Sequence, residues 1–148
     1  MGLVEIYIDT ENQIQRKNLH RYGYILVTEY HGEMRAATGY GEMVGTYHET
    51  SAKALEEALG RILKKCDVLV YSPDPWLCGI LEHLHEWELR DFKSQMDKPI
   101  GAAETWKSIC RQLGRLKIEH IDPIPGPHEN GSNIKSGIKR RIMEAQAG

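Results

Sequence analysis

The stretch Val4-Glu5-Ile6-Tyr7-Ile8-Asp9 ends an apolar alternation on a carboxylate. Val4, Ile6 and Ile8 alternate with Glu5 and Tyr7, the period of a strand with one face committed to a core. An aspartate delivered by such a strand stands on a rigid base. It serves either to cap the polar loop that opens with Thr10, Glu11 and Asn12, or as one arm of a metal site, where hard cations take carboxylate oxygen. Two basic patches stand out: Lys139, Arg140 and Arg141 near the C-terminus, and Arg16, Lys17 and Arg21 near the N-terminus. Each suits phosphate contacts or a solvated surface. Other constellations are poorer. His83 and His85 stand two apart in a helical stretch and do not share a face. Cys78 and Cys110 have no general base at a recognisable spacing. His120 in an apolar strand, and Trp76, Trp87 and Trp106 at helical core positions, read as packing. Gly39 and Gly41 form no phosphate loop.

The elements that must carry these residues follow from pattern. Val4–Asp9, Gly23–Tyr30 and Glu33–Gly41 are expected as strands, the last two joined tightly at His31 and Gly32. A helix is expected over residues 49–65, capped by Thr50 or Ser51, with Ala54, Leu55, Ala58, Leu59, Ile62 and Leu63 on one face and Lys64 and Lys65 at its end. Asp67–Ser72 is a short continuous apolar strand. Pro75–Trp87 is a second helix, with Pro75 in its first turn. Residues 88–98 are polar and irregular. A third helix is expected from about Gly101 to Leu113, a strand over Leu116–Ile121, a long loop over Asp122–Ser132 and a last helix over Ile134–Ala145. The order βββ-α-β-α-α-β-α implies an α/β fold: a mixed five-stranded sheet with helices on its faces.

Bulk properties exclude several classes. The 148 residues suit one domain, expected to span 1–148. A formal charge of −2 removes the argument from strong overall basicity to nucleic acid, leaving only local patches. Three cysteines without a CxxC spacing argue against a disulfide framework or zinc knuckle and for reduced thiols in or near the core. No apolar run reaches the roughly 18 residues of a membrane span, and no signal-peptide pattern stands at the N-terminus. The protein is therefore expected to be soluble and cytoplasmic, without a membrane partner.

The element order and several strings resemble the type 1 ribonuclease H family over nearly the whole chain, from about Val4 to Ala145. The resemblance is carried by VEIYID, GYILV, the Gly39-Tyr40 pair, VLVYSPDPWLCGI, HEW, the DKPI segment leading to ETW, KIEHI and the loop His128-Glu129-Asn130. It implies a ribonuclease H-like fold and cleavage of RNA in RNA/DNA hybrids by two divalent metal ions, Mg²⁺ or Mn²⁺. Four carboxylates would hold the metals, because two close hard cations need negative charge between and around them.

Carried over residue by residue, the resemblance puts the first acid on Asp9. The second falls on Ser51, eight residues before Leu59, or on Glu49 when counted forward from Tyr40. These two stand about 200° apart on a helix. The third falls on Pro73, with Asp74 beside it; Asp74 also suits the cap of the helix that Pro75 begins. The fourth falls on Ile134, beside the neutral Asn133. The family's loop histidine falls on Ile124, with His128 nearby, and Glu11 is a further acid close to Asp9. The expected catalytic and metal-holding set is therefore Asp9, Glu49 and Asp74, with Lys139, Arg140 and Arg141 for nucleic acid. In residues 88–98, Arg90, Lys93 and Lys98 are balanced by Glu88, Asp91 and Asp97, a poor grip on phosphate. Two functions follow. One is a Mg²⁺-dependent endoribonuclease acting on RNA/DNA hybrid, impaired by the displaced acids. The other is a catalytically inactive module of the same fold that binds nucleic acid or a protein partner.

Overall fold

A computed structural model describes residues 2–147. Its elements are β1 (Gly2–Thr10), β2 (Asn18–Tyr30), β3 (Glu33–Gly45), α1 (Tyr47–Leu59), β4 (Cys66–Ser72), α2 (Pro75–Glu82), α3 (Leu84–Leu89), α4 (Ala103–Leu116), β5 (Ile121–Pro125) and α5 (Gly131–Ala147). They build one five-stranded sheet in the order β3-β2-β1-β4-β5. The β1–β2 and β2–β3 pairs are antiparallel; β1–β4 and β4–β5 are parallel. The central strand β1 thus has an antiparallel neighbour on one side and a parallel one on the other.

Strand alternation gives the sheet two different faces. Ile6 and Ile8 of β1, Val68 and Val70 of β4, and Tyr22, Tyr24 and Leu26 of β2 join Leu55, Ala58 and Leu59 of α1 and Trp106 and Ile109 of α4 in the main core. Tyr7 of β1 meets Ile134 and Ile138 of α5 in a smaller cluster. Gly39 and Gly41 have a packing reason: each lies opposite a tyrosine in the β2–β3 register, and an added Cβ would collide with the Tyr24 or Tyr22 ring. The turn His31-Gly32 has positive φ at both residues, 50° and 80°, the conformation that closes a tight hairpin.

Several expected boundaries are corrected. Thr46, and neither Thr50 nor Ser51, caps α1. Its side chain accepts from the Glu49 N–H, and the Glu49 carboxylate accepts from the Thr46 N–H, a reciprocal capping box. The helix ends at Leu59, so Lys64 and Lys65 lie beyond it. The expected helix Pro75–Trp87 is two helices, because His83, at φ −120° and ψ 32°, breaks the turn between them. Residues 88–98 are anchored by Phe92, which is fully buried at a positive φ.

The last strand is displaced. Leu116 ends α4, and the pairing residues are Ile121–Pro125, so the observed strand shares only Ile121 with the expected one and runs on into the expected loop. The two prolines are tolerated for a geometric reason. The His120 carbonyl accepts from the Val68 N–H at 2.9 Å, and the Gly126 N–H donates to the Ser72 carbonyl at 3.0 Å. Even-numbered residues therefore face β4, while Pro123 and Pro125 turn their nitrogens to the open edge of the sheet. Among the described residues, no helix is long and apolar enough to cross a membrane.

Candidate functional site

The parallel pairing of β1 with β4 runs to Tyr7 opposite Tyr71. Just beyond it, at the C-terminal ends of the two neighbouring strands, the chain delivers Asp9 and Asp74. In α/β sheets, such a strand end beside a change of neighbour direction is where ligands bind. Both carboxylates are buried, at 6% and 0% exposure. Each already has partners.

Asp9 Oδ1 accepts from its neighbour's Thr10 N–H at 2.8 Å and from the Lys135 ammonium at 3.0 Å. The same Lys135 Nζ donates to the Thr10 carbonyl at 2.7 Å. Lys135 comes from the start of α5. Gly131, the first residue of that helix, lies so close that an added Cβ would stand 3.0 Å from Asp9 Oδ2. The carboxylate thus meets a cation and the positive end of a helix together.

Asp74 is the N-cap of α2 and accepts from the Trp76 N–H at 2.9 Å. His48 Nδ1 lies 2.9 Å from both of its oxygens, and the His48 ring stacks on Trp76 with centroids 4.9 Å apart. Tyr47, beside His48 in the chain, is 3% exposed, and its buried hydroxyl has no hydrogen-bond partner. Burial pushes this phenol well above its ordinary range, and the Asp74 and then the Asp9 charge push it further. Tyr47 therefore senses both halves of the site.

The other expected acids are placed differently. Glu49 Oε1 is taken by the Thr46 N–H at 2.9 Å in the capping box. Ser51 is buried, and its hydroxyl donates back to the Tyr47 carbonyl at 3.1 Å. Ile134 is fully buried against Tyr7 and Ile138. Burying such a side chain is worth about 2 kcal/mol, so the position is spent on packing. Glu11 accepts from the Arg21 N–H at 3.0 Å and pairs with its guanidinium. His128 Nε2 lies 2.7 Å from the Ile8 carbonyl, and its ring edge meets Tyr7. Ile124 stands on β5. Among the described residues, no three His, Cys, Asp or Glu side chains form a group that could hold one ion. Asp9, Glu49 and Asp74 are thus not assembled as a shared ligand set, because each carboxylate is committed to a different local structure.

Three site residues escaped the sequence reading. Lys135 stands next to Ile134, where the resemblance puts the fourth acid, and that adjacency was the available signal. His48 and Tyr47 precede Glu49 at the start of α1, where an acid was sought. The basic residues are as open as expected. Lys139 and Arg140 are exposed on α5, and the Arg141 guanidinium lies 4.5 Å over the Tyr40 ring. Lys139 falls one helical turn from Lys135, so the two share a face. Residues 88–98 tie up their own charge: Lys93 pairs with Asp97, Asp91 with Lys107, and Arg90 covers Trp87.

Curated relatives named ribonuclease H match the chain. One from Janthinobacterium sp. is 29% identical over 99 residues, 66% of this chain and 67% of the relative. One from Chromohalobacter salexigens is 31% identical over 80 residues, 53% of this chain and 49% of the relative. One from Actinobacillus pleuropneumoniae is 28% identical over 121 residues, 80% and 76% of the two chains. Among solved structures, a type 1 ribonuclease H with the type 2 active-site motif superposes with a TM-score of 0.67 at 14% identity, over 95% of this chain and 70% of that one. The ribonuclease H domain of prototype foamy virus gives 0.59 at 17% identity, over 98% and 90%. No protein-family model matches the chain. The fold is ribonuclease H-like, and in sequence the chain is similar to curated proteins named ribonuclease H.

Proposed function

We propose that this ribonuclease H-like domain engages RNA/DNA hybrids and that its metal-dependent cleavage is impaired. The relatives' shared name, and a foamy virus protease-reverse transcriptase solved with an RNA/DNA hybrid that superposes with a TM-score of 0.61, support the substrate class. The observation that carries the impairment is the pairing of Asp9 with Lys135 at 3.0 Å. A lysine ammonium balances one negative charge but cannot accept a lone pair from water or bridge two oxygens as a metal ion does. Glu49, held in the capping box, and Ile134, in the core, remove two further ligand positions. The donor set as placed does not fit two divalent ions.

What remains suits binding. Lys135 and Lys139 make a cationic row along α5, with Arg140 exposed about 100° round the helix from Lys139, and phosphate contacts of this kind position a duplex without reading its sequence. A catalytically silent binding module is the limiting case of the same reading.

The test is cleavage of a labelled RNA/DNA hybrid with Mg²⁺ and with Mn²⁺, beside binding of the same hybrid by fluorescence anisotropy. The expected result is binding, with cutting no faster than in Asp9→Asn. Metal-dependent cutting that disappears in Asp9→Asn would overturn the impairment. Absence of binding would overturn the hybrid as ligand.

A further inference from the structure

A buried carboxylate without a cation beside it is a surplus of negative charge. Here the charge of Asp9 is answered from within the chain. Lys135 Nζ bonds Asp9 Oδ1 at 3.0 Å and the Thr10 carbonyl at 2.7 Å. Its stem starts beside Ile134, which is fully buried and fixes the first turns of α5. The ammonium is therefore held by two acceptors at one end and by a core residue at the other. It carries three N–H donors, of which these acceptors use two. The third has no acceptor among the described residues, and the side chain is 47% exposed.

We infer that Lys135 is a resident cation: it keeps divalent ions off Asp9 and offers its free N–H to a backbone phosphate oxygen of the bound nucleic acid. The phosphate contact rests on the hybrid-binding reading above; the exclusion of divalent ions does not. Two oxygens, one carboxylate and one carbonyl, already surround the ammonium, and both are hard donors of the kind a cation accepts. A divalent ion would have to displace a tethered charge that pays no entropy of association. Without the lysine, Asp9 would be a buried carboxylate with the Thr10 N–H and the start of α5 beside it but no counter-charge, a setting that favours uptake of a cation.

The first experiment is a Mn²⁺ titration followed by thermal unfolding on wild type, Lys135→Ala, Lys135→Met and the double variant Asp9→Asn/Lys135→Ala. Lys135→Met keeps the stem and its packing should the alanine variant fail to fold. The wild type and the double variant are expected to show no Mn²⁺-specific rise. A folded lysine variant is expected to gain about 3–6 °C at ten times its dissociation constant for Mn²⁺. A wild-type rise equal to that of the lysine variants, or no rise in either variant, would overturn the exclusion of metal. The second experiment is binding of labelled hybrid in EDTA, where Lys135→Met is expected to bind about tenfold more weakly than wild type. Equal affinities would overturn the phosphate contact. A wild type that binds no hybrid at all would instead overturn the proposed ligand, while the Mn²⁺ titration would still decide the role of the lysine.

Discussion

The Asp9 and Asp74 halves of the site start alike and end differently. Both aspartates leave the C-terminal ends of adjacent parallel strands, both are buried, and both face a basic side chain. Asp74, however, also caps α2 and takes His48 across both oxygens, so the local fold leans on it. Asp9 keeps a neighbouring N–H and a lysine that is half in solvent. Two carboxylates placed alike can thus serve unlike ends. One is a structural cap, and the other pairs with a half-exposed lysine.

The largest expected effect tests that division. Asp74→Ala removes a helix cap and leaves the Trp76 N–H and His48 Nδ1 without their acceptor. It should cost about 2–4 kcal/mol in denaturant unfolding. Asp9→Asn keeps an acceptor for Thr10 and loses only a partly exposed ion pair, so about 1 kcal/mol is expected. Equal costs would erase the distinction between the two halves.

The Asp74 half should also carry an alkaline sensitivity. Burial, with the Asp74 and Glu82 charges behind it, pushes the Cys78 thiol from 9.0 up to about 11. A group whose folded pKa is raised gives its full stabilisation below the unfolded value and loses it as pH climbs through the folded one. Stability should therefore fall between about pH 9 and 11 more steeply in wild type than in Cys78→Ala, read as unfolding midpoints against pH. Parallel curves would show that this thiol contributes nothing there. The smallest stability effect belongs to α5. Lys139→Ala with Arg140→Ala should change unfolding by no more than about 0.5 kcal/mol. The same pair should lower the salt slope of hybrid binding by about 2. An unchanged slope would remove these two residues from the interface.

Much of the frame was legible in the sequence. The alternation of Val4, Ile6 and Ile8 places β1 and brings Asp9 to its end, and the apolar run ahead of Ser72 places β4. Other features were hidden for physical reasons. The T-x-x-E pattern of Thr46 and Glu49 is a helix start, but the apolar stripe begins later and drew the boundary with it. Pro123 and Pro125 disguised an edge strand as a loop, because only the hydrogen-bond phase shows that their nitrogens face outward. The Lys135–Asp9 pair joins residues 126 positions apart and leaves no local trace. Ile134 was legible as an apolar residue where the resemblance expects an acid, but the cation beside it needed the packing of α5 on β1 to acquire meaning.

A site that meets nucleic acid with a cation of its own needs no Mg²⁺ to bind it. The most direct measurement is the affinity of wild-type protein for a labelled RNA/DNA hybrid in EDTA and in Mg²⁺ at matched ionic strength. The same dissociation constant is expected in both. Binding that appears only when Mg²⁺ is present, and that is lost in Asp9→Asn, would contradict it.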